Sequence, residues 1–317
     1  MAKVNIICLT PVKNEEWILE KFLSAASLWA DVIIVADQNS TDRSVEIAQS
    51  FDKVKLIHNK SESFNEPERQ SLLINESRKI PGKNIIIALD ADEFLSGNFG
   101  QSEDWDKIKR LPRGTVIKFK WPFINSKFDQ YWAGDDAVMP FGFVDDGSEH
   151  IGKKIHSKRV PFAEESPIYE VNDFVVMHYQ FTDWKRMESK HRWYQCYERV
   201  QFPEKSDLEI FRTYSHMYRV KSKDMKAVPE KWFDFYLKNG VDINTAKFSE
   251  RYYWDAEVDK MLSVHGAALF NNIDLTNNKS LLLSYLRATK KSNSIVVKVI
   301  DKLIKIKIKR KMKVLRS

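Results

Sequence analysis

Asn84-Ile85-Ile86-Ile87-Ala88-Leu89-Asp90-Ala91-Asp92-Glu93-Phe94 is the stretch that decides the fold. An apolar run of this length, ending in acids, reads as a strand of a parallel sheet buried on both faces. Side chains two apart on an extended strand point the same way. A strand that persists to its last residues therefore delivers Asp90 and Asp92 from one face at the C-terminal edge of the sheet. Open α/β sheets bind their ligands at that edge. Paired carboxylates suit a hard divalent cation, Mg²⁺ or Mn²⁺, which would in turn hold a diphosphate. The same spacing recurs at Asp104 and Asp106, but no buried strand precedes it and no functional role is expected there.

Working outward, the first ninety residues alternate strand and helix. Strands are expected at Val4 to Leu9, Val32 to Ala36, Val54 to His58 and Ile85 to Leu89. Helices are expected from about Glu15, from Thr41, and over Glu66 to Lys79. This rhythm implies βαβ units and a parallel sheet. Start signals precede the helices: Asn14 before Glu15 and Glu16, Ser40 or Thr41 before Asp42, and Asn65 before Glu66 and Pro67. Beyond Leu95 the rhythm breaks. Thr115 to Phe123 alternates like a half-exposed strand, Phe174 to Met177 is a short apolar strand running into His178, and helices are expected over Thr182 to Phe202, Pro229 to Asn239 and Ser249 to Val264.

The chain of 317 residues, 43% hydrophobic, can bury an ample core, and no apolar run approaches the roughly 20 residues needed to span a bilayer. Val4 to Leu9 is too short for a signal peptide, so a cytoplasmic protein is expected. Cys8 and Cys196 offer neither a disulfide framework nor metal-ligand spacing, and read as reduced core residues. The net charge of +7 is concentrated: residues 290 to 317 hold eleven of the 51 Lys and Arg but only one of the 44 acids, leaving 40 basic against 43 acidic residues elsewhere. A basic tail on a mildly acidic body argues against a nucleic-acid groove and for a local contact made by the tail. Ile295, Val296, Val299, Ile300 and Leu303 fall at helical spacing between lysines, which describes an interfacial helix on an anionic membrane.

No Gly-x-Gly-x-x-Gly and no Gly-x-x-x-x-Gly-Lys occurs, so a nucleotide on this sheet must be held without a glycine cradle. Two loops offer themselves at the sheet edge: Thr10-Pro11-Val12-Lys13-Asn14-Glu15-Glu16 after the first strand, and Asp37-Gln38-Asn39-Ser40-Thr41-Asp42 after the second. Each could equally be a turn with helix caps.

Together, Pro11 to Glu16, Asp37 to Asp42 with its Ser-Thr-Asp, Arg69 in the third helix and Asp90-Ala91-Asp92 resemble the family-2 glycosyltransferases with the GT-A fold. The resemblance covers residues 3 to 200 in outline, with motif support to Glu93. It implies that Pro11, Val12, Asn14, Glu15 and Asp37 hold the nucleoside, Arg69 the diphosphate region, Asp90 and Ala91 the ribose side, and Asp90, Asp92 and a later His, here His178, a metal ion. It also implies an inverting mechanism with a base for the acceptor hydroxyl. Candidates for that base are Asp135, Asp136, Asp145, Asp146, Glu149, His156, Glu164 and Glu165, with His156 and Glu164 placed beside Asp92 as the catalytic set. His191 is expected in a helix core. Gln38 and Asn39 stand where the family usually has a second acid and Gly; uridine is the first expectation for the base.

The expected architecture is therefore α/β, a Rossmann-like, mostly parallel sheet with flanking helices over residues 1–202, divided into a nucleotide-sugar half (1–95) and an acceptor half (96–202). A helical extension (203–289) and the basic tail (290–317) follow. The expected function is metal-dependent sugar transfer from a nucleotide-diphosphate donor to a glycan or lipid-linked acceptor in surface-polysaccharide or lipopolysaccharide synthesis, on the inner face of the cell membrane. A nucleotidyltransferase on a similar sheet and a non-catalytic scaffold are the alternatives.

Overall fold

The computed structural model describes residues 3–273 except 62, 135, 136, 249–251 and 272. The basic tail, residues 290–317, and the base candidates Asp135 and Asp136 lie outside the described residues. Twelve strands are seen among them: β1 (Val4–Val12), β2 (Val32–Asp37), β3 (Val54–His58), β4 (Lys83–Ala88), β5 (Glu93–Leu95), β6 (Val116–Lys120), β7 (Phe123–Ile124), β8 (Gln130–Trp132), β9 (Val138–Val144), β10 (Ile168–Glu170), β11 (Val176–His178) and β12 (Lys226–Ala227). The α-helices are α1 (Leu19–Ala26), α2 (Ser44–Gln49), α3 (Glu66–Ser77), α4 (Glu103–Ile108), α5 (Trp184–Gln201), α6 (Asp207–Thr213), α7 (Lys231–Lys238) and α8 (Tyr253–His265).

The main sheet runs β10-β6-β9-β4-β1-β2-β3. Its β4-β1-β2-β3 portion is parallel throughout, as the βαβ rhythm requires. Alternate residues of β1, β2 and β4 face opposite sides. Cys8, Ile33, Val35, Ile85 and Ile87 meet α1 through Phe22 and Leu23, while Ile7, Leu9, Ile34, Ala36, Ile86 and Ala88 meet α3 through Leu73 and Ile74. Covering on both faces is why these strands are apolar without a break. The sheet is mixed beyond β4: β9 enters antiparallel between β4 and β6. Gly142 of β9 admits that approach, because a Cβ there would lie 2.8 Å from the Cβ of Ile117. A second sheet, β12-β8-β7-β11-β5, carries the acidic turn on β5.

The chain divides into two units, Met1–Thr182 with Lys226–Phe248, and Asp183–Met225 with Ser249–Ser317. The first boundary therefore falls at Thr182, where a catalytic domain through residue 202 was expected, and α7 returns to the first unit. The reason is the apolar stripe Trp232, Phe233 and Tyr236 of α7, which is buried in the core that holds Leu95 and Phe99. Tyr236 OH donates to Leu95 O at 2.8 Å, and Gly97 lets α7 approach closely, since a Cβ there would lie 3.0 Å from Trp232 O. The second unit packs α5 with α8: Ser189 Oγ donates to Asp255 Oδ1 (2.8 Å), Arg192 pairs with the same carboxylate (3.2 Å), and Arg186 lies over the Trp254 ring. His191 is buried there, its Nδ1 3.1 Å from Tyr214 O, as a packed core histidine should be.

Both cysteines are buried and free. Burial pushes the Cys196 thiol up to about 12 and the Cys8 thiol higher still, so neither is a thiolate at neutral pH.

Candidate active site

The loops after β1 and β2 come together first, by bonding to each other. Asn14 N–H donates to Ser40 Oγ (2.9 Å), and Thr41 N–H donates to Asn14 Oδ1 (2.7 Å). Glu15 N–H donates to Ser44 Oγ (2.8 Å), Glu16 N–H to Asp42 Oδ2 (3.0 Å), and Arg43 N–H to Glu16 Oε2 (2.9 Å). The side chains that looked like helix caps are used across the two loops. That use corrects two expectations: α1 begins at Leu19 instead of near Glu15, and α2 at Ser44 instead of Thr41. Asn65 does cap its helix, accepting from Glu68 N–H at 3.4 Å. Asn14 and Asn39 adopt φ of 57° and 54°. Asn tolerates this left-handed region, so Asn39 does what Gly would do at that place.

Pro11 and Val12 are buried at the end of β1 beside Ala36 and Asp37 of β2. Asp37 is buried; its Oδ2 accepts from Ser40 N–H at 3.3 Å, while Oδ1 has no hydrogen-bond partner in the chain. Thr10 Oγ1 on β1, and Arg69 Nε and Gln70 Oε1 on α3, are likewise buried without partners. Arg69 also sits over the Phe64 ring. Gln38, which stands where a base-reading acid was the usual residue, turns its amide to Ser61 O and Ser63 O, both at 3.0 Å, and ties down the loop after β3.

The strand geometry does not persist to the acids. β4 ends at Ala88, and Asp90, Ala91 and Asp92 form a turn into β5, because Asp90 N–H is taken by the Glu93 Oε2 carboxylate at 2.8 Å and Glu93 N–H by Asp90 O at 3.0 Å. The two acids consequently have different surroundings. Asp92 is buried, with Oδ1 3.7 Å from His178 Nε2. Asp90 is half-buried and pairs through Oδ2 with Arg159 Nη2 at 2.9 Å.

His178 is a cross-strand neighbour of the turn, since β11 pairs antiparallel with β5, His178 opposite Glu93, and Tyr179 N–H donates to Asp92 O at 2.8 Å. Its ring is held by stacking on Trp121 (centroids 4.6 Å apart, planes 12°) and against Phe123 (5.3 Å). Neither ring nitrogen has a hydrogen-bond partner, although the residue is buried. A buried imidazole beside a carboxylate with both nitrogens unspent suits a divalent cation, the carboxylate favouring Mg²⁺ or Mn²⁺ and the imidazole a transition metal. Asp92 and His178 thus fit part of the expected metal site. Among the described residues, no three His, Cys, Asp or Glu side chains are grouped so as to hold a metal ion.

Two residues that sequence reasoning missed complete the turn. Glu93, fully buried, accepts from Trp121 Nε1 at 2.9 Å and from both Arg159 Nη atoms. Burial alone would lower the Arg159 pKa; the Asp90 and Glu93 carboxylates outweigh it and keep the guanidinium charged. Glu93 directly follows the Asp-x-Asp, which is a usable signal. Arg159, three residues after His156, has none.

The other base candidates are distributed along the acceptor segment. His156 is exposed with φ 57°, Glu164 and Glu165 are exposed in a turn, and Glu149 is exposed. Asp145 is buried and paired with Arg78 (2.9 Å), and Asp146 Oδ1 accepts from Ser148 N–H (2.9 Å) and Oγ (2.6 Å), so both have structural partners. Asp104 of the second Asp-x-Asp accepts from Tyr169 OH (2.5 Å) and from the N–H groups of Asn172 (2.8 Å) and Asp173 (3.1 Å), a structural tie and nothing more.

Comparison with known proteins gives one family: residues 7–100 match the model described as Glycosyl transferase family 2. No curated protein matches the chain. Solved structures that resemble it include glucosyl-3-phosphoglycerate synthase from Mycobacterium tuberculosis, in complex with Mn²⁺, uridine diphosphate and phosphoglyceric acid (19% identity, 37% of this chain and 43% of that one, TM-score 0.29). HddC from Yersinia pseudotuberculosis is also similar (8% identity, 55% of this chain and 93% of that one, TM-score 0.34). The match therefore spans less than half of the mycobacterial synthase.

Proposed function

From the premise that residues 7–100 are a glycosyl transferase family 2 region, we propose that the protein transfers a sugar from a nucleotide-diphosphate donor to an acceptor hydroxyl. The observation that carries the reading is a set of buried polar atoms without a hydrogen-bond partner: Thr10 Oγ1 on β1, Asp37 Oδ1 on β2, Arg69 Nε and Gln70 Oε1 on α3, and the His178 nitrogens on β11. Buried polar groups are almost always hydrogen-bonded, so a polar ligand would complete them. Asp37 would accept from a base N–H, with uridine as first choice, and Arg69 would meet the diphosphate. Asp92 and His178 would hold Mn²⁺ or Mg²⁺, which when bound supplies Lewis-acid stabilisation of the leaving diphosphate. The acceptor proton would pass to His156 or Glu164, and displacement with inversion would follow from in-line attack.

The acceptor we propose is a glycan or lipid-linked glycan of surface-polysaccharide or lipopolysaccharide synthesis, met at an anionic membrane through residues 290–317. Each Lys or Arg near such a surface contributes about 1 kcal/mol, so even part of the tail would retain the enzyme there. No helix among the described residues is long and apolar enough to cross a membrane. Deleting residues 290–317 should abolish sedimentation with anionic vesicles; salt-insensitive binding that survives the deletion would remove the membrane role.

The function itself is tested by donor hydrolysis over a panel of nucleotide sugars with and without EDTA. Turnover of at least one donor is expected, lost on chelation. A chain that turns over no nucleotide sugar and binds no nucleoside diphosphate refutes the reading.

A further inference from the structure

Arg159 lies between β9 and β10, far along the chain from the acidic turn, yet its guanidinium closes on that turn. Nη2 donates to Asp90 Oδ2 (2.9 Å) and Glu93 Oε1 (3.0 Å), and Nη1 donates to Glu93 Oε2. The guanidinium carbon sits 4.5 Å from the centroid of the Phe141 ring. Carboxylates on its edges and an aromatic face beneath it fix the plane as well as the charge, which suits Arg and not Lys. Three acids, Asp90, Asp92 and Glu93, stand in this turn, and Arg159 engages the first and third. Asp92, the second, faces His178.

We propose that Arg159 is the resident cation of the acidic turn, a positioning residue that occupies Asp90, leaves Asp92 and His178 as the cation-binding pair, and supplies part of the positive charge facing the donor diphosphate. The inference rests on the functional reading above and adds a division of labour between the two acids. It has two consequences of opposite sign. Without the guanidinium, Asp90 Oδ2 loses that partner and the turn gains one net negative charge, so Mn²⁺ alone binds more tightly. The diphosphate then meets less positive charge and binds more weakly. A residue that merely braced the turn would weaken both ligands when lost.

The test is calorimetric titration of the full chain with MnCl₂ alone, and then with UDP at saturating Mn²⁺, for the wild type, R159M and R159K. R159M should bind Mn²⁺ about tenfold more tightly and UDP about tenfold more weakly, the scale of one charge-assisted hydrogen bond. R159K keeps the charge without the fork; it should tighten Mn²⁺ and hold UDP within about threefold of the wild type. Should R159M fail to fold by circular dichroism, R159K decides. Affinities that stay unchanged, or that fall together in R159M, overturn the proposal. A wild type that binds neither probe refutes the functional reading itself, whereas a wild type that binds both beside unmoved variants refutes only the role of Arg159.

Discussion

Replacing Glu93 by Gln should destabilise the first unit severely, and the size of the effect follows from the side chain's surroundings. Glu93 is fully buried and its two oxygens accept four hydrogen bonds: two from Arg159, one from Trp121 Nε1 and one from Asp90 N–H. Gln retains one oxygen and puts an NH₂ where the other was, so in either orientation a donor faces an Arg159 Nη, together with Trp121 Nε1 or the Asp90 amide. It also leaves the guanidinium with the half-buried Asp90 as its one hydrogen-bonded carboxylate. Removing one partner of a buried ion pair costs about 3–5 kcal/mol. In a unit of this size each kcal/mol lowers the melting temperature by roughly 2–4 °C, so a fall of about 6–20 °C is expected in thermal unfolding followed by Trp fluorescence. The double variant E93Q/R159M should fall by clearly less than the two single losses combined, because it leaves no unpaired buried charge. E93Q melting within about 1 °C of the wild type, or strict additivity in the double variant, would refute the buried-pair argument.

Further outcomes follow from other sites. Asp92→Asn should reduce transfer about 10²- to 10³-fold with the melting temperature retained, since one electrostatic contact to the leaving group is lost; steady-state rates and a melting curve check both halves. Asp104 is held below the usual carboxylate range: burial works against this, but the bonds from Tyr169, Asn172 and Asp173 outweigh it. Its contribution to stability is therefore complete above the unfolded value of about 3.9 and is lost as pH falls through the lower folded value, so Asp104→Asn should flatten the acid limb of a stability profile below that unfolded value. Asn39→Gly should leave stability within a few tenths of a kcal/mol, whereas Asn39→Val, forced to φ near 54°, should cost about 1–2 kcal/mol in chemical denaturation.

Those parts of the fold that local pattern encodes were legible in the sequence. β1 to β4 and α3 are announced by apolar runs, an Asn-Glu-Pro start and the spacing between them. β9 is not, because a strand inserted antiparallel between β4 and β6 is chosen by partners far along the chain. The same distinction divides the site. Asp92 follows an apolar strand and could be proposed from that context, and His178 only with the resemblance that implies a later histidine; the ladder that makes them neighbours could not be read. Arg159 and Glu93 are joined across 66 positions, and an ion pair at that separation leaves no periodicity to read. The late starts of α1 and α2 have a similar cause: Asn14 and Ser40 carry good cap chemistry, but each finds its partner in the other loop.

The return of α7 to the first unit bears on how the protein is made. A ribosome finishes β11 and α5 long before it reaches Trp232, Phe233 and Tyr236, and until then the surface around Leu95 and Phe99 lacks its cover. The wait from Thr182 to Phe248 is about 66 residues, or roughly 3–13 s at ordinary elongation rates of about 5–20 residues per second. During that interval the nascent chain exposes apolar surface of the kind chaperones bind. Slowing translation across residues 183–225 should therefore lower the soluble yield, while a truncation at residue 202 should never acquire the missing wall.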